Sequence, residues 1–213
     1  MSGRGSSSIF DQIAKDYLSE IAQMDWRARA HRLGGEHRGD ELRIPLFGRA
    51  HRLTPEGILD PQGNRASHAV SVVLCKYVLL CPDKPAPMQD WVTFKDFRDA
   101  APFAGAFSNN VERSLSSHFS NRLSALDAAC SELGGYTPQT GLSYELIRQF
   151  TALPRVELRL LFNDEDEEFP AESTLLFPDN GSDYLDMECL AILGWLLADL
   201  LIRRGGGSGA ALM

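Results

Sequence analysis

The feature that most constrains the fold is a strict alternation of apolar and charged residues late in the chain. Apolar residues take every second position and charged residues stand between them, in the order Val156, Glu157, Leu158, Arg159, Leu160. A period of two places successive side chains on opposite faces of an extended chain, so this run predicts a strand with one buried face. Residues 172–177 supply a partner strand across an acidic turn. The chain is therefore predicted to contain an antiparallel strand pair.

Four other segments show the spacing of amphipathic helices, in which apolar residues recur every three or four positions. They are Ile9–Leu33, Ser67–Cys81, Asn110–Leu133 and Leu185–Arg204. Short apolar pieces between Glu41 and Leu53, followed by turn residues, favour a small antiparallel β element. Residues 143–150 fit either a helical turn or a strand. The predicted class is α+β, with a small, mostly antiparallel sheet from the Arg43, Val156 and Ser173 regions packed against three to four helices.

The 213 residues fit one domain with extensions at both ends. Residues 1–8 are polar and rich in Gly and Ser, which is typical of a disordered leader, and 9–35 form an N-terminal helix. Residues 36–204 form a single α+β domain, and residues 205–213 form a flexible tail. The start of the chain lacks a signal-peptide pattern, and the apolar run from Leu190 to Ile202 is too short to cross ~30 Å of hydrocarbon. We therefore expect a soluble, cytoplasmic protein.

Acidic charge is concentrated in one place. Between Asn163 and Glu188 there are ten carboxylates and no Lys or Arg, whereas the formal net charge of the whole chain is −8. The remainder of the chain therefore sums to about +2. The turn between the two predicted strands, with the sequence DEDEEFPAE, is the surface that this composition singles out.

Three interpretations of this acidic hairpin remain open. It is a solvated turn that keeps apolar strands soluble, a site for a metal or small cation, or a docking surface for a basic partner. In an extended chain Glu168 and Glu172 point to one face, and with Asp166 they make the candidate metal ligands. A calcium loop is excluded because Phe169 and Leu175 stand where that motif needs Gly and Glu. The candidate recognition surface is Asp164, Asp166, Glu167, Glu168, Phe169, Pro170 and Glu172.

The opposite charge is concentrated between Trp26 and Arg52, which we call the basic arm. It holds seven arginines, three histidines and three acids, and its aromatics are Trp26 and Phe47. So few stacking residues in an acidic chain argue against nucleic-acid binding. The arm is predicted to be a solvated face, or to pair with the acidic hairpin within one molecule or between the subunits of a homodimer.

Residues with chemical reactivity are sparse. Cys75, Cys81, Cys130 and Cys189 lie in apolar helical patterns without the paired spacing of metal knuckles, so we expect core thiols in a reducing compartment. An iron–sulfur cysteine motif is missing. So are the G-x-S-x-G elbow, the Walker phosphate loop, the dinucleotide G-x-G-x-x-G after a strand and H-E-x-x-H. The sequence contains no recognised catalytic motif, and whether the protein is an enzyme stays open.

Several short segments are similar to one known family. They are Leu153-Pro154-Arg155-Val156, the DEEFPA block from Asp166 to Ala171, Leu176-Phe177, and the helix start Tyr184-Leu185 with Glu188; earlier pieces are Phe47-Gly48, YVLL, WVTFKDF and Gly134-Gly135. Together they resemble the uncharacterised prokaryotic family called domain of unknown function 3786, over roughly Phe47 to Leu200. The predicted N-terminal helix lies outside this resemblance.

The resemblance implies a soluble protein of anaerobic bacteria or archaea without an assigned activity. Some members of the family carry an added cysteine-rich iron–sulfur segment, which this chain lacks. The leading functional hypothesis is a cytoplasmic binding or accessory module that uses the acidic hairpin for recognition. The alternatives are a metal- or small-ligand-binding protein or enzyme using the same carboxylates, and a structural homodimer.

Overall fold

The fold is taken from a computed structural model, in which residues 4–207 are described, with side chains from Gln12 onward. Helices and strands are both well represented in this range. The α-helices are α1 (Arg4–Ala22), α2 (Trp26–Arg32), α3 (His68–Leu79), α4 (Ala101–Phe107), α5 (Arg113–Phe119), α6 (Leu123–Glu132) and α7 (Met187–Arg204). A π-helical turn, Ser108–Glu112, joins α4 to α5, and 3₁₀ turns cover Phe94–Asp96 and Asp179–Asp183. The long C-terminal helix matches its predicted bounds to within two residues.

The strands form two antiparallel sheets of four. The first is a meander of β1 (Glu36–Arg38), β2 (Glu41–Leu46), β3 (Arg49–Thr54) and β4 (Gly57–Leu59) in chain order. The second has the order β5-β8-β7-β6, with β5 (Trp91–Thr93), β6 (Leu146–Leu153), β7 (Val156–Asn163) and β8 (Glu172–Pro178). The ambiguous residues 143–150 thus contribute to strand β6. The α+β class and the single domain are confirmed.

The Arg43 region does not share a sheet with the Val156 and Ser173 regions, which corrects the expected arrangement. Its strands are joined by tight turns, and Phe47 and Gly48 adopt positive φ values of 47° and 71° between β2 and β3. Strands connected this closely pair with their sequence neighbours. The sheets touch where the Phe47 N–H donates to the Ala152 carbonyl oxygen at 2.8 Å.

The second sheet carries the core. On β7 the residues at alternate positions, Val156, Leu158, Leu160 and Phe162, are fully buried, as the period of two predicts. They belong to one buried apolar cluster with residues of α5, α6 and α7, and each such side chain contributes about 1.5–3 kcal/mol by leaving water. Helix α7 approaches closely at Gly194, because a Cβ added there would lie 2.6 Å from Phe107 Cε2. The core therefore fixes the position of the α4–α5 segment relative to the sheet.

The opposite face of this sheet is closed by an aromatic and polar network instead of helices. The Arg159 guanidinium lies 4.0 Å from the Trp91 ring centroid and donates to Gln149 Oε1 at 2.9 Å. Gln149 in turn donates to Glu157 and to the Tyr136 hydroxyl, both within 2.9 Å. These groups cover Ile147, Leu161 and Leu176, which are at most 8% exposed. Outward-facing apolar residues are thus buried without a second layer.

Two predicted helices are broken. The run Ile9–Leu33 divides into α1 and α2, because the Asp25 side chain accepts the Ala28 N–H and starts a new helix. The run Asn110–Leu133 divides at Asn121, whose φ of 57° is left-handed and ends α5. By contrast, α3 follows the prediction, with Ser67 capping its first turn.

The two predicted termini fall only partly within the described residues. Helix α1 begins at Arg4, inside the segment predicted as a leader, and residues 1–3 lie outside the description. At the other end, Gly205 and Gly207 donate to carbonyls of the last turn of α7, and residues 208–213 lie outside. Within the part of the chain that the structure describes, helices are too short or too polar to cross a membrane.

All four cysteines are free and buried, as the sequence predicts. Burial raises the pKa of the Cys75 and Cys130 thiols to about 12. Burial also raises the pKa of Cys189, and the neighbouring Asp186 adds to the effect. These thiols are therefore packing groups of the core.

Candidate functional site

The acidic hairpin is the connection between β7 and β8. The last residue pair of the two strands is Asn163 with Glu172, so residues 164–171 leave the sheet. This connection has two halves that differ in what their carboxylates contact. We call residues 164–166 the anchored half and residues 167–172, which include the first residue of β8, the open half.

The anchored half holds the break between α5 and α6. Asp164 Oδ1 accepts the backbone N–H of Asn121 at 2.7 Å and that of Glu165 at 2.9 Å. The Glu165 carboxylate accepts the Ser120 hydroxyl and the Asn121 side-chain amide. Two acids therefore satisfy the Asn121 backbone N–H at the helix break and the polar side chains of Ser120 and Asn121 beside it.

Asp166 closes the turn between the two halves. Its carboxylate accepts the N–H groups of Glu168, at 2.8 Å, and of Phe169, at 2.7 Å, while its own N–H donates to the Phe169 carbonyl. These two N–H bonds lower the pKa of Asp166 below its ordinary value. The Asp166 carboxylate thus has a structural role in the turn.

The open half makes the exposed tip of the hairpin. Glu167, Glu168 and Pro170 are exposed, and Phe169 is 67% exposed. Large aromatic side chains are usually mostly buried, so this exposed fraction is high for a Phe. The chain then turns inward through Ala171 to the first residues of β8.

A cavity of about 560 Å³ lies beside the open half. One wall is the chain from Phe169 to Thr174, another is the helical segment from Ala104 to Ser116, and Thr93–Lys95 complete it. Phe94 and Phe107 line it as well, and their buried rings stack at 4.3 Å between centroids. This volume is within the range of small-molecule sites, roughly 300–1,000 Å³.

The short strand β5 creates this cavity. Its last pair is Thr93 with Leu176, so the first residues of β8 have β7 on one side and no strand neighbour on the other. The π-helical turn fills part of that gap: the Leu175 N–H donates to Glu112 Oε1 at 3.3 Å, and the Ser173 hydroxyl donates to the Glu112 carbonyl at 2.6 Å. The sheet edge is thus completed by a side chain, and space remains next to it.

Glu112 is the electrostatically unusual residue of the cavity. It is half-buried, and burial raises the pKa of its carboxyl against the lowering effects of the Leu175 N–H and the Ser108 hydroxyl. It lies at the end of a π-helical turn, a local insertion that is frequent at functional sites. A carboxyl with a perturbed pKa in a cavity is a recognised indicator of a binding or catalytic site.

Charges of both signs border the same space. Lys95 and Arg113 supply cationic groups, and Glu172 supplies a second carboxylate. Both Lys95 and Glu172 act on the Glu112 carboxyl, the first lowering and the second raising its pKa. The cavity therefore presents aromatic surface together with positive and negative groups.

The structure separates the residues that the sequence grouped together. Phe169, Pro170 and Glu172 line the cavity, Asp164 and Asp166 belong to the anchored half, and Glu167 and Glu168 are at the exposed tip. The proposed metal ligands Asp166, Glu168 and Glu172 are not brought together, since residues 4–207 contain no group of three or more His, Cys, Asp or Glu that could hold a metal ion.

Sequence reasoning missed Glu112, Lys95 and Arg113. Glu112 and Arg113 lie within a run that the sequence presents as one regular helix, and the π-helical turn leaves no mark in the apolar spacing. Lys95 lies in the WVTFKDF segment, whose side-chain directions depend on its pairing with β8. One feature of the sequence does indicate an irregular helix here, because Ser108-Asn109-Asn110 before Val111 is a cluster of poor helix formers.

The basic arm finds its acidic partners nearby. Its ion pairs are Arg27–Asp40, Arg32–Asp83, and Arg43 and Arg52 with Glu41. Arg29 donates to the carbonyls of Val78 and Leu79 at the end of α3. These arginines are used within their own part of the fold, and the predicted pairing of the arm with the hairpin between two molecules stays a prediction.

The fold and the cavity define a single-domain α+β protein with a candidate ligand site beside an acidic hairpin. The chain belongs to the family described as Domain of unknown function (DUF3786), which matches residues 25–200. The match starts earlier than Phe47, so α2 and the first sheet are part of the family region and α1 precedes it. No curated protein and no solved structure matches the chain. Two segments that carry the resemblance, Trp91–Phe97 and Asp166–Ala171, both contribute to the cavity wall.

Proposed function

We propose that this protein binds a small organic ligand in the cavity beside the open half of the hairpin. The observation that carries the proposal is the Glu112 carboxyl, which lines an accessible cavity of about 560 Å³ with its pKa raised by burial. Keeping a carboxyl partly desolvated costs free energy, which a bound cationic or hydrogen-bonding group would offset. The exposed ring of Phe169 at the cavity lining offers apolar surface to the same ligand.

The chemistry of the lining favours a ligand with both polar and aromatic character. Lys95 and Arg113 suit an anionic group, while Glu112 and Glu172 suit an amine or another donor. The exposed Phe169 ring suits a flat or apolar body, and the buried Phe94 and Phe107 rings keep the lining beneath it apolar. A zwitterionic aromatic or heterocyclic molecule therefore matches the cavity best.

Native mass spectrometry of the full chain, purified without chelator, tests the proposal. Ala104→Trp places an indole in the cavity without removing a polar group, and Ala128→Trp makes the same change at an exposed position of α6. We expect a stoichiometric small mass on the wild type and on Ala128→Trp, and its loss from Ala104→Trp. A bare polypeptide mass for all three proteins would contradict the proposal.

A second candidate function is docking of a lysine-rich protein segment at the hairpin tip. The observation that favours it is that Phe169 is 67% exposed and stands beside the exposed acids Glu167 and Glu168. An aromatic ring with acidic neighbours suits a basic partner, in which charge sets the association rate and the ring supplies buried area. The four buried free cysteines support a reducing, cytoplasmic location for either function.

The docking function is tested at the tip and not at Asp166, because reversing the charge of Asp166 would disrupt its turn. A double variant Glu167→Lys with Glu168→Lys is titrated with a lysine-rich peptide, next to a control with the same charge change at the exposed Glu20 and Glu56. We expect salt-sensitive binding that only the tip variant loses. Equal loss of binding in both variants would show that the net charge of the protein, and not the hairpin tip, causes the binding, which would contradict the docking function.

A further inference from the structure

A second cavity lies at the other end of β7 from the acidic hairpin. It has a volume of about 350 Å³, and Arg32, Arg155, Tyr184 and the Cys81–Pro85 region line it. Arg155 precedes the first residue of β7 and the hairpin follows its last residue, so the two sites are separated by about 25 Å of extended chain. This second cavity is therefore distinct from the proposed ligand site.

Arg155 is fixed in a way that leaves part of its guanidinium available. Its backbone N–H donates to the Tyr77 hydroxyl at 3.0 Å, and its Nε donates to the Arg32 carbonyl at 2.9 Å. The Tyr77 hydroxyl itself donates a hydrogen bond to the Leu33 carbonyl at 3.0 Å. Because Nε is engaged, the two Nη groups form the edge that remains for a ligand.

Arg32 brings a second guanidinium to the same space. Its Nη1 lies 3.0 Å from Asp83, a side chain that is 90% exposed, so this ion pair is weak and replaceable. Its Nε is buried and has no hydrogen-bond partner. Two cationic groups thus share the cavity with one solvent-exposed acid.

Tyr184 adds a phenol group to the same cavity. It is only 5% exposed and is part of the cavity lining. A phenol hydroxyl at a cavity wall can donate a hydrogen bond to a bound acceptor. Burial raises the pKa of Tyr184, and the positive charge of Arg155, which lines the same cavity, opposes this effect.

We propose that Arg155, Arg32 and Tyr184 form a binding site for an oxyanion group of the phosphate type. A phosphate presents several acceptor oxygens, which match the free Nη groups of Arg155, the guanidinium of Arg32 and the donor O–H of Tyr184. The cavity is several times larger than a phosphate ion, so the anion is expected to be carried by a small phosphomonoester.

Calorimetric titration of the full chain with inorganic phosphate tests the site, at neutral pH and with ionic strength held constant by chloride. Tyr184→Phe removes only the hydroxyl of this side chain, and Arg155→Gln removes the fixed guanidinium. Lys15→Gln removes one positive charge at an exposed position of α1 and serves as the control. Glycerol phosphate, titrated in parallel, distinguishes an ester from the free ion.

We expect saturable binding in the wild type and in Lys15→Gln, a loss of affinity of about ten-fold in Tyr184→Phe, and a greater loss in Arg155→Gln. Tighter binding of glycerol phosphate identifies an ester site, and equal binding identifies a site for the free ion. The proposal is overturned if neither probe gives a saturable signal above chloride. It is also overturned if Tyr184→Phe binds both probes as the wild type does, which remains decisive even if Arg155→Gln fails to fold.

Discussion

The anchored and open halves of the acidic hairpin carry the same kind of charge and do different things. In the anchored half, Asp164, Glu165 and Asp166 accept hydrogen bonds from the chain around them. In the open half, Glu167 and Glu168 face solvent, while Phe169 and Glu172 line a cavity. A run of acidic residues is thus divided within a few positions into a structural part and an available part.

The difference teaches that the partner of a carboxylate, and not its charge, decides its role. Asp164 meets backbone N–H groups at a helix break, where a fixed acceptor stabilises the fold. Glu168 has the same charge and lies a few residues further along the chain, but its side chain is exposed. Substitutions in the two halves should therefore separate stability from binding.

The largest effect on stability is expected at Asp164. Asp164→Ala removes the acceptor of two N–H groups and should lower the free energy of unfolding by about 2 kcal/mol. Glu168→Ala, in the open half, should change it by less than about 0.5 kcal/mol. Urea denaturation measures both. Equal effects would remove the distinction between the halves.

The next largest effect on stability is expected at Asn121, which donates hydrogen bonds to Asp164 and Glu165 of the anchored half. Asn121 has a φ of 57°, which Asn adopts at a lower cost than Ala because its short polar side chain can hydrogen-bond locally. Asn121→Ala should cost about 1–2 kcal/mol, from backbone strain together with the lost bond to Glu165. Asn121→Gly keeps the backbone conformation and should cost less. If Ala is tolerated as well as Gly, the left-handed turn is not required.

How much of the fold and of the candidate site the sequence predicts depends on whether the residues that cause a feature are close together in the chain. The β7–β8 pair follows from alternation, and α3 and α7 follow from apolar spacing with caps at Ser67 and Asp186. The break at Asn121 does not, because Asp164 and Glu165 hold it from far along the chain. The same holds for the cavity, which depends on where β5 stops pairing with β8.

The pKa values of Asp166 and Glu112 are expected to shift in opposite directions from their ordinary values. The pKa of Asp166 lies below its ordinary value of 3.8, because the Glu168 and Phe169 N–H groups stabilise the carboxylate. Its contribution to stability is present above pH 3.8 and is lost as the pH falls through the folded pKa. The pKa of Glu112 lies above 4.5 because of burial, so its contribution is present below pH 4.5 and is lost as the pH rises through the folded pKa.

Carboxyl carbon NMR titration measures both groups directly. We expect a midpoint below 3.8 for Asp166 and above 4.5 for Glu112. Asp166→Asn and Glu112→Gln assign the two signals. Midpoints at the ordinary values would contradict the hydrogen bonds of the first group and the burial of the second.

The smallest effect on stability is expected for Glu112→Gln. At neutral pH the amide avoids the cost of a desolvated charge, and its oxygen can still accept the Leu175 N–H. The melting temperature should stay the same or rise slightly. A clear fall, by contrast, would make Glu112 a structural anchor of β8, like the acids of the anchored half.

The most direct test of the central claim is a paired measurement of melting temperature and retained ligand mass on Asp164→Ala and Glu112→Gln. The account predicts that Asp164→Ala melts at a lower temperature and, below that temperature, keeps the ligand seen on the wild type. Glu112→Gln should melt at an equal or higher temperature and lose the ligand. If occupancy instead follows stability in both variants, the anchored half and the cavity do not have separate roles and the cavity is not a ligand site.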